Sequence, residues 1–393
     1  MSASDHGRIA LQPPDLSAPS EADQTDEAAT TAADKRFMVS QWRLIGRRFT
    51  HNRAALIGGT VVVILYLMAL FSNFLAPYSV DNGFVQYLYA PPQTVHLFHN
   101  GTFQPYVEAL KVTVRPSDLR KIYTTDPNSV VPLRIFVHAE PYRLAGLIPT
   151  DVHLFGTDDP TTPVLLLGTD RMGRDLLSRI LIGSQISLTV GLIGVVLSLI
   201  FGTVIGVASG YFGGWLDDVV QRVIELIRSF PTIPLWMGLS AALPPHWPPL
   251  LTYFGITIIL SFIGWTWLAR QLRGKVLALR QEEYVVASEL AGANSLWVIF
   301  RHLIPATLSH IIVIATLALP NMILAETALS FLGLGIRPPL TSWGVLLQEA
   351  QNIETLANYP WLLSPVVIIA VAVLAFNFLG DGLRDASDPY SVA

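Results

Sequence analysis

Formal charge in this 393-residue chain is confined to short blocks, separated by long runs that carry none. No acid or base lies from Ala54 to Val80, between Arg179 and Asp217, or between Arg228 and Arg270. Glu326 stands alone between Arg301 and Arg337, and Glu354 to Gly380 holds only Glu354 itself. A membrane-spanning helix needs about 20 predominantly apolar residues, and it suits lipid because its backbone polar groups pair within the segment. Charged residues make up 14% of the chain, against about 25% in ordinary soluble domains. The chain therefore reads as an all-α polytopic membrane protein. Six spans are expected, at about Ala54–Leu75, Gln185–Ser209, Leu216–Ser240, Leu250–Ala269, Ala306–Leu332 and Trp361–Gly380.

Residues 1–34 are rich in Ser, Ala, Thr and Pro and hold seven acids. They read as a disordered cytoplasmic tail. No apolar stretch follows a basic start, so the segment is not a signal peptide. From Lys35 to Arg53, Phe37, Trp42, Ile45 and Phe49 interleave with Arg43, Arg47, Arg48 and Arg53. Two readings stay open there: an amphipathic helix on the inner membrane surface, or a plain basic flank of the first span. Cytoplasmic loops carry excess Lys and Arg. The basic cluster thus places the N-terminus on the cytoplasmic side of the membrane. Alternation places the Arg270–Pro305 loop and the C-terminal tail, 386–393, inside as well. Arg171, Arg174 and Arg179 then fall outside, partly offset by Asp170 and Asp175, which predicts a structured element at the outer surface.

Within the spans, Gly194, Ser198, Gly202, Gly206 and Gly210 recur every four residues. A four-residue step drifts about 40° around a helix, and small residues let helices approach closely in lipid. A packing face is expected rather than a pore-lining track. Asp217, Asp218, Arg222, Glu225 and Arg228 place charges of both signs on the third span, with Arg222–Glu225 and Glu225–Arg228 spaced for ion pairs. Pro231 and Pro234 follow and would kink or break it. A carboxyl at Glu326 must face the bundle interior or a cavity. It is read as a structural hydrogen-bonding group, with a pore role left open.

The 76–166 segment mixes β-branched, aromatic and polar residues at Tyr106–Val114 and Val131–His138, with Pro, Asp and Asn between. It reads as a β-rich periplasmic insertion between helices 1 and 2. Its histidines, His96, His99, His138 and His153, lack metal-ligand spacing, so no metal is assigned. The chain has no cysteine, which excludes disulfides and thiolate catalysis. No phosphate-cradling Gly-rich Lys-Ser/Thr loop occurs. No cofactor is expected, and nothing points to nucleic acid.

Two motifs carry a resemblance. The first is Leu167-Gly-Thr-Asp-Arg-Met-Gly-Arg-Asp-Leu-Leu-Ser-Arg-Ile-Leu-Ile-Gly-Ser-Gln-Ile-Ser-Leu188. The second is the loop Glu283–Pro305, in which Gly292 and Pro305 fill the anchors of a Glu-Ala-Ala, three residues, Gly, nine residues, Ile, one residue, Leu-Pro pattern. Val286, Ala287 and Ser288 stand at the Glu-Ala-Ala positions, and His302 and Ile304 at those of Ile and Leu. The chain resembles the inner-membrane permease subunits of ATP-binding-cassette importers, in the dipeptide, oligopeptide and nickel branch, on the side of the second permease. The ending Gly380-Asp-Gly-Leu-Arg-Asp-Ala-Ser-Asp-Pro389 is similar to that branch too.

The resemblance implies a type I importer permease fold, with a core over 167–385. It implies a heterodimer with a second permease subunit, two cytoplasmic ATPase subunits and an extracytoplasmic solute-binding protein. It implies that Glu283, Tyr284, Ala287, Ser288, Gly292, Ala293 and Pro305 form the ATPase-coupling loop, and that no catalytic residue lies in this chain. Peptides are the leading cargo, with nickel, oligosaccharides and opine-like solutes as alternatives. A secondary transporter is the rival of another class. It should show internal repeats and paired intramembrane ionisable groups, and here Glu326 is the one deeply placed acid. An intramembrane enzyme would need converging His or metal ligands, whereas His246 and His310 are isolated in sequence.

Overall fold

The computed structural model describes residues 41–387 apart from 100, 118–119, 145, 158 and 160–161. The expected tail at 1–34, the 35–40 part of the basic segment and residues 388–393 of the expected 386–393 tail lie outside the described residues, while 386–387 belong to the last helix. In chain order the helices are α1 Gln41–His51, α2 Arg53–Leu70, α3 Ser72–Leu75, α4 Leu176–Phe212, α5 Gly214–Ser229, α6 Thr232–Ala241, α7 Pro249–Leu279, α8 Glu283–Leu290, α9 Ser295–Val298, α10 Ile304–Phe331, α11 Trp343–Leu347, α12 Ile353–Asn358 and α13 Ser364–Ser387. Strands β1 Val95–His99, β2 Thr102–Val114, β3 Lys121–Pro132, β4 Arg134–Leu144 and β5 Ile148–Gly156 lie between α3 and α4.

Local sequence sets the helix ends. Asn52 separates α1 from α2, and its side-chain oxygen accepts the Ala55 N–H at 3.1 Å. Asp175 opens α4 by accepting the Ser178 N–H and hydroxyl, both at 2.7 Å. Such caps satisfy amides that have no partner within the helix. At the far end of α10, Gly333 adopts φ +77. The Gly333 and Leu334 N–H groups then donate to the Ser330 and Leu329 carbonyls, closing a Schellman turn that favours glycine.

Five described helical runs are long and apolar enough to cross a membrane: Arg53–Leu70, Leu176–Phe212, Pro249–Leu279, Ser295–Phe331 and Pro360–Ser387. The third span expected over 216–240 is broken at Pro231, one of the two outcomes its prolines allowed. The chain leaves the helix at Phe230 and Pro231, giving amphipathic α5 and the ten-residue α6. The cause is local. Pro231 has no N–H to continue the ladder, and its ring clashes with the carbonyl four residues back.

Helix α4 runs along α7, and the small-residue stripe is their contact. A Cβ added at Gly206 would lie 2.5 Å from the Ala269 carbonyl oxygen, and one at Gly210 2.9 Å from that of Arg273. The stripe is thus a packing face, as expected. Gly206→Val should destabilise the purified chain by about 1–3 kcal/mol, the usual range for overpacking. Gly59→Ala, whose nearest neighbour would be Leu379 Cδ1 at 3.6 Å, should leave thermal unfolding in detergent nearly unchanged. On the other side of the bundle, Val62, Leu65, Leu188, Ile323, Trp343, Ile369 and Phe376 join α2, α4, α10, α11 and α13 in one core.

The insertion is β-rich, as expected, in two antiparallel sheets ordered β1-β2-β3 and β4-β5. The strand expected over Val131–His138 straddles a junction instead. β3 ends at Pro132 and β4 begins at Arg134. The insertion is also built into the entry to α4. Thr169 accepts the Ala90 N–H at 2.8 Å, and Tyr89 stacks on Tyr359 with ring centres 4.1 Å apart. His153 serves structure, its ring nitrogens 2.6 Å from the Ala76 carbonyl and 3.0 Å from that of Glu140.

Candidate functional site: the 283–305 loop and its anchorage

The loop leaves α7 at Arg280 and forms α8 at once. Glu283 and Tyr284 are exposed in its first turn. Val285 is fully buried in a cluster with Val207 of α4, Val276 of α7, and Val298, Ile299 and Leu303 downstream. Val285 therefore pins the short helix to its own chain. It does not share an outward apolar face with Leu290, which is 85% exposed. The outward apolar side chains are Tyr284, Val286 and Leu290, joined by Leu296, Trp297 and Phe300 beyond the turn.

The end of α8 is a second Schellman turn. The Gly292 N–H donates to the Glu289 carbonyl at 2.9 Å, and the Ala293 N–H to the Ser288 carbonyl at 3.0 Å. Gly292 takes φ +88, a conformation L side chains resist. Asn294 then caps α9, accepting the Trp297 N–H at 2.7 Å. The next turn, Ile299–Leu303, is π-helical. Pro305 follows it within one continuous helical run and has no N–H to donate backward, and an insertion of this kind is a known way to bend a helix.

Side chains brace the loop from three sides. Ser288 donates to the Tyr284 carbonyl at 2.8 Å and lies 2.9 Å from His302 Nε2. The His302 ring meets Tyr284 and Trp297 edge to face. Tyr211, at the end of α4, donates to Glu289 at 2.7 Å. His302, at the position where the resemblance has Ile, thus forms part of the brace. Of the residues assigned to the loop, Glu283, Tyr284, Ala287, Gly292 and Pro305 are exposed, while Ser288 and Ala293 are half-buried.

Sequence reading missed the ion pair beside this loop. Arg273 of α7 donates from Nε and from one terminal nitrogen to Asp217 of α5, at 2.6 and 2.5 Å, and Ser209 of α4 donates to the same carboxylate. A bidentate guanidinium–carboxylate pair is strong and directional. It ties α5 to the base of the loop. The pair Arg222–Glu225, expected from spacing, forms at 3.1 Å but is exposed.

Glu326 is fully buried in α10. It accepts from Ser330 at 2.7 Å and from Ser187 of α4 at 3.1 Å. Ser187 in turn accepts the Trp343 N–H. This network fastens α11 and the turn before it to α4, and no cation approaches the carboxyl among the described residues.

At the opposite end of α4 the first motif forms a tight loop. Asp170 accepts from the N–H groups of Met172 and Arg174 and from the largely buried guanidinium groups of Arg174 and Arg179. Glu349 lies beside Arg171 and Arg174. Burial pushes the Glu349 carboxyl above its usual range, with the Asp170 charge adding to it. The motif glycines follow from geometry. Gly168 and Gly173 have φ +75 and +74, and a Cβ on Gly168 would lie 2.5 Å from the Ala90 carbonyl oxygen.

Comparison with known proteins fits this geometry. Residues 202–390 match the family model described as binding-protein-dependent transport system inner membrane component. Residues 40–92 match that of the N-terminal TM domain of oligopeptide transport permease C. The chain is 37% identical over 238 residues to the oligopeptide transport system permease protein OppC of Bacillus subtilis, covering 60% of this chain and 75% of that one. It is 38% identical to the dipeptide transport system permease protein DppC of Alkalihalophilus pseudofirmus, over 63% and 74% of the two chains. It is 42% identical to OppC of Haemophilus influenzae, over 56% and 69%. The chain belongs to the binding-protein-dependent transport system inner membrane components, the membrane-embedded permeases of ABC importers.

Proposed function

We propose that this chain forms half of the translocation pore of an importer for short peptides. Its relatives bear the names of oligopeptide and dipeptide permeases, which supports that cargo class over nickel or sugars. In this reading a second, homologous permease completes the pore. Two cytoplasmic ATPase subunits supply the motion, and an extracytoplasmic binding protein delivers the cargo. Both termini and the 283–305 loop lie in the cytoplasm, and the 76–166 insertion lies outside. ATP hydrolysis belongs to the partner subunits.

One observation carries the mechanism. The helix α8 is fixed to α4 and α7 by Val285 on one side, while Tyr284, Val286 and Leu290 face away from the chain. An amphipathic helix laid in a groove gains affinity from its apolar anchors. A groove that moves would carry α8 with it, and the Val285 cluster would pass that motion to α4, α7 and α10 as rigid bodies. The Asp217–Arg273 pair would draw α5 along. Affinity isolation of the tagged chain from its own membranes tests this. The expected result is co-isolation of a second permease and ATPase subunits. A chain that isolates alone, and still transports, is a secondary transporter.

A further inference from the structure

A pocket of about 500 Å³ opens between α7, α10 and α13, at the end of the bundle that carries the 283–305 loop. Lys275 of α7, His310 of α10 and Arg384 of α13 converge on it, with Gln271, Ser309 and Ser387 beside them. Lys275 and Arg384 are exposed. Among the described residues no carboxylate lines the pocket. Like charges brought to one pocket repel one another, and a bound anion relieves that cost. Further along α10 the lining changes character to Val313, Ile314 and Leu317. From His310 to Leu317 is about 10 Å along a helix, directed into the membrane-spanning part of α10. The pocket is therefore polar and basic at the membrane boundary and apolar toward the membrane centre.

We propose that this pocket seats an anionic phospholipid from the leaflet on the loop side, its phosphate held by Lys275 and Arg384 and its acyl chains against Val313 and Leu317. Basic pockets between membrane helices hold anionic headgroups in this way. The polar-to-apolar gradient favours a lipid over free phosphate, because free phosphate has no use for the apolar end. The proposal needs only the membrane-spanning helices and is independent of the cargo. Because α7 and α10 flank the 283–305 loop, a lipid seated there would brace the helices that the loop must move.

Native mass spectrometry of the full-length chain in mild detergent tests the proposal, using equal amounts of phosphatidylglycerol and phosphatidylcholine. The wild type should retain phosphatidylglycerol selectively, and excess inorganic phosphate should not displace it. The K275Q/R384Q variant should bind phosphatidylglycerol about 30-fold more weakly, since each near-surface cation contributes about a fivefold factor. Both side chains are exposed, so its thermal unfolding should match the wild type. If the double variant fails to fold, K275Q alone should weaken binding about fivefold. Equal retention of the two lipids, or equal phosphatidylglycerol affinity in wild type and variant, overturns the proposal. Displacement by inorganic phosphate assigns the site to free phosphate and overturns the lipid reading.

Discussion

Replacing Asp170 with alanine will destabilise the chain more than any single change in its exposed loops. Asp170 is 1% exposed and accepts two backbone N–H groups and two guanidinium groups. Its removal leaves Arg174 and Arg179 buried beside each other, with only Glu349 near Arg174 to compensate. Breaking a buried ion pair from one side typically costs about 3–5 kcal/mol, a large share of the roughly 5–15 kcal/mol that holds a domain folded. The loss should appear as a lower yield in membranes and a lower unfolding temperature in detergent. Asp170→Asn keeps an acceptor but not the charge, and should fall between. Arg171→Ala removes only a 3.6 Å contact from a mostly exposed side chain and should cost about 1 kcal/mol or less. If Asp170→Ala unfolds at the wild-type temperature, the buried cluster does not organise the entry to α4.

Changes at the tip of α8 will separate ATP hydrolysis from transport while leaving the spans folded. Gly292→Val places a β-branched residue at φ +88. The left-handed region costs an L residue roughly 1–2 kcal/mol, and the turn can relieve it only by rotating α8 against α9. Leu290→Asp acts differently. Its side chain touches little of its own chain, so folding should not change. A charge on an apolar anchor would weaken docking into any groove. In the assembled importer each change should lower uptake at least about tenfold, equivalent to roughly 1.4 kcal/mol of lost docking energy. ATPase activity should persist and become insensitive to cargo. Val285→Asp is the contrasting case, since it places a charge in the Val207–Val276–Leu303 cluster and should cost folding as well as coupling. Full coupled uptake by both Gly292→Val and Leu290→Asp would show that α8 does not transmit the motion.

Much of this architecture is legible in the sequence because membranes impose simple rules. Uncharged runs mark spans, and Gly206 and its fellows mark a packing face, since both follow from local composition and period. Gly292 is recognisable because its turn requires a positive φ. What the sequence hides is pairing across distance. Asp217 and Arg273 are 56 residues apart, and Arg174 and Glu349 lie on different elements, so nothing in either neighbourhood announces the other. The role of Val285 is hidden as well, because a valine in a short helix reads the same whether it faces a partner or its own core. In the third span Pro231 announces an interruption, but hydropathy continues through it and does not say whether the helix kinks or stops. The insertion looks detachable in sequence, yet Tyr89 and Ala90 are packed into the loop before α4, so a clean domain boundary at 166 does not describe their contacts.

In the proposed mechanism the chain is moved by ATP hydrolysed elsewhere. Uptake of a labelled oligopeptide into proteoliposomes, containing this chain with its second permease, both ATPase subunits and the binding protein, tests that most directly. Accumulation that requires ATP and the binding protein, and that stops when the ATPase subunits are omitted, is the predicted result. Accumulation that continues without ATP or without the ATPase subunits would contradict it.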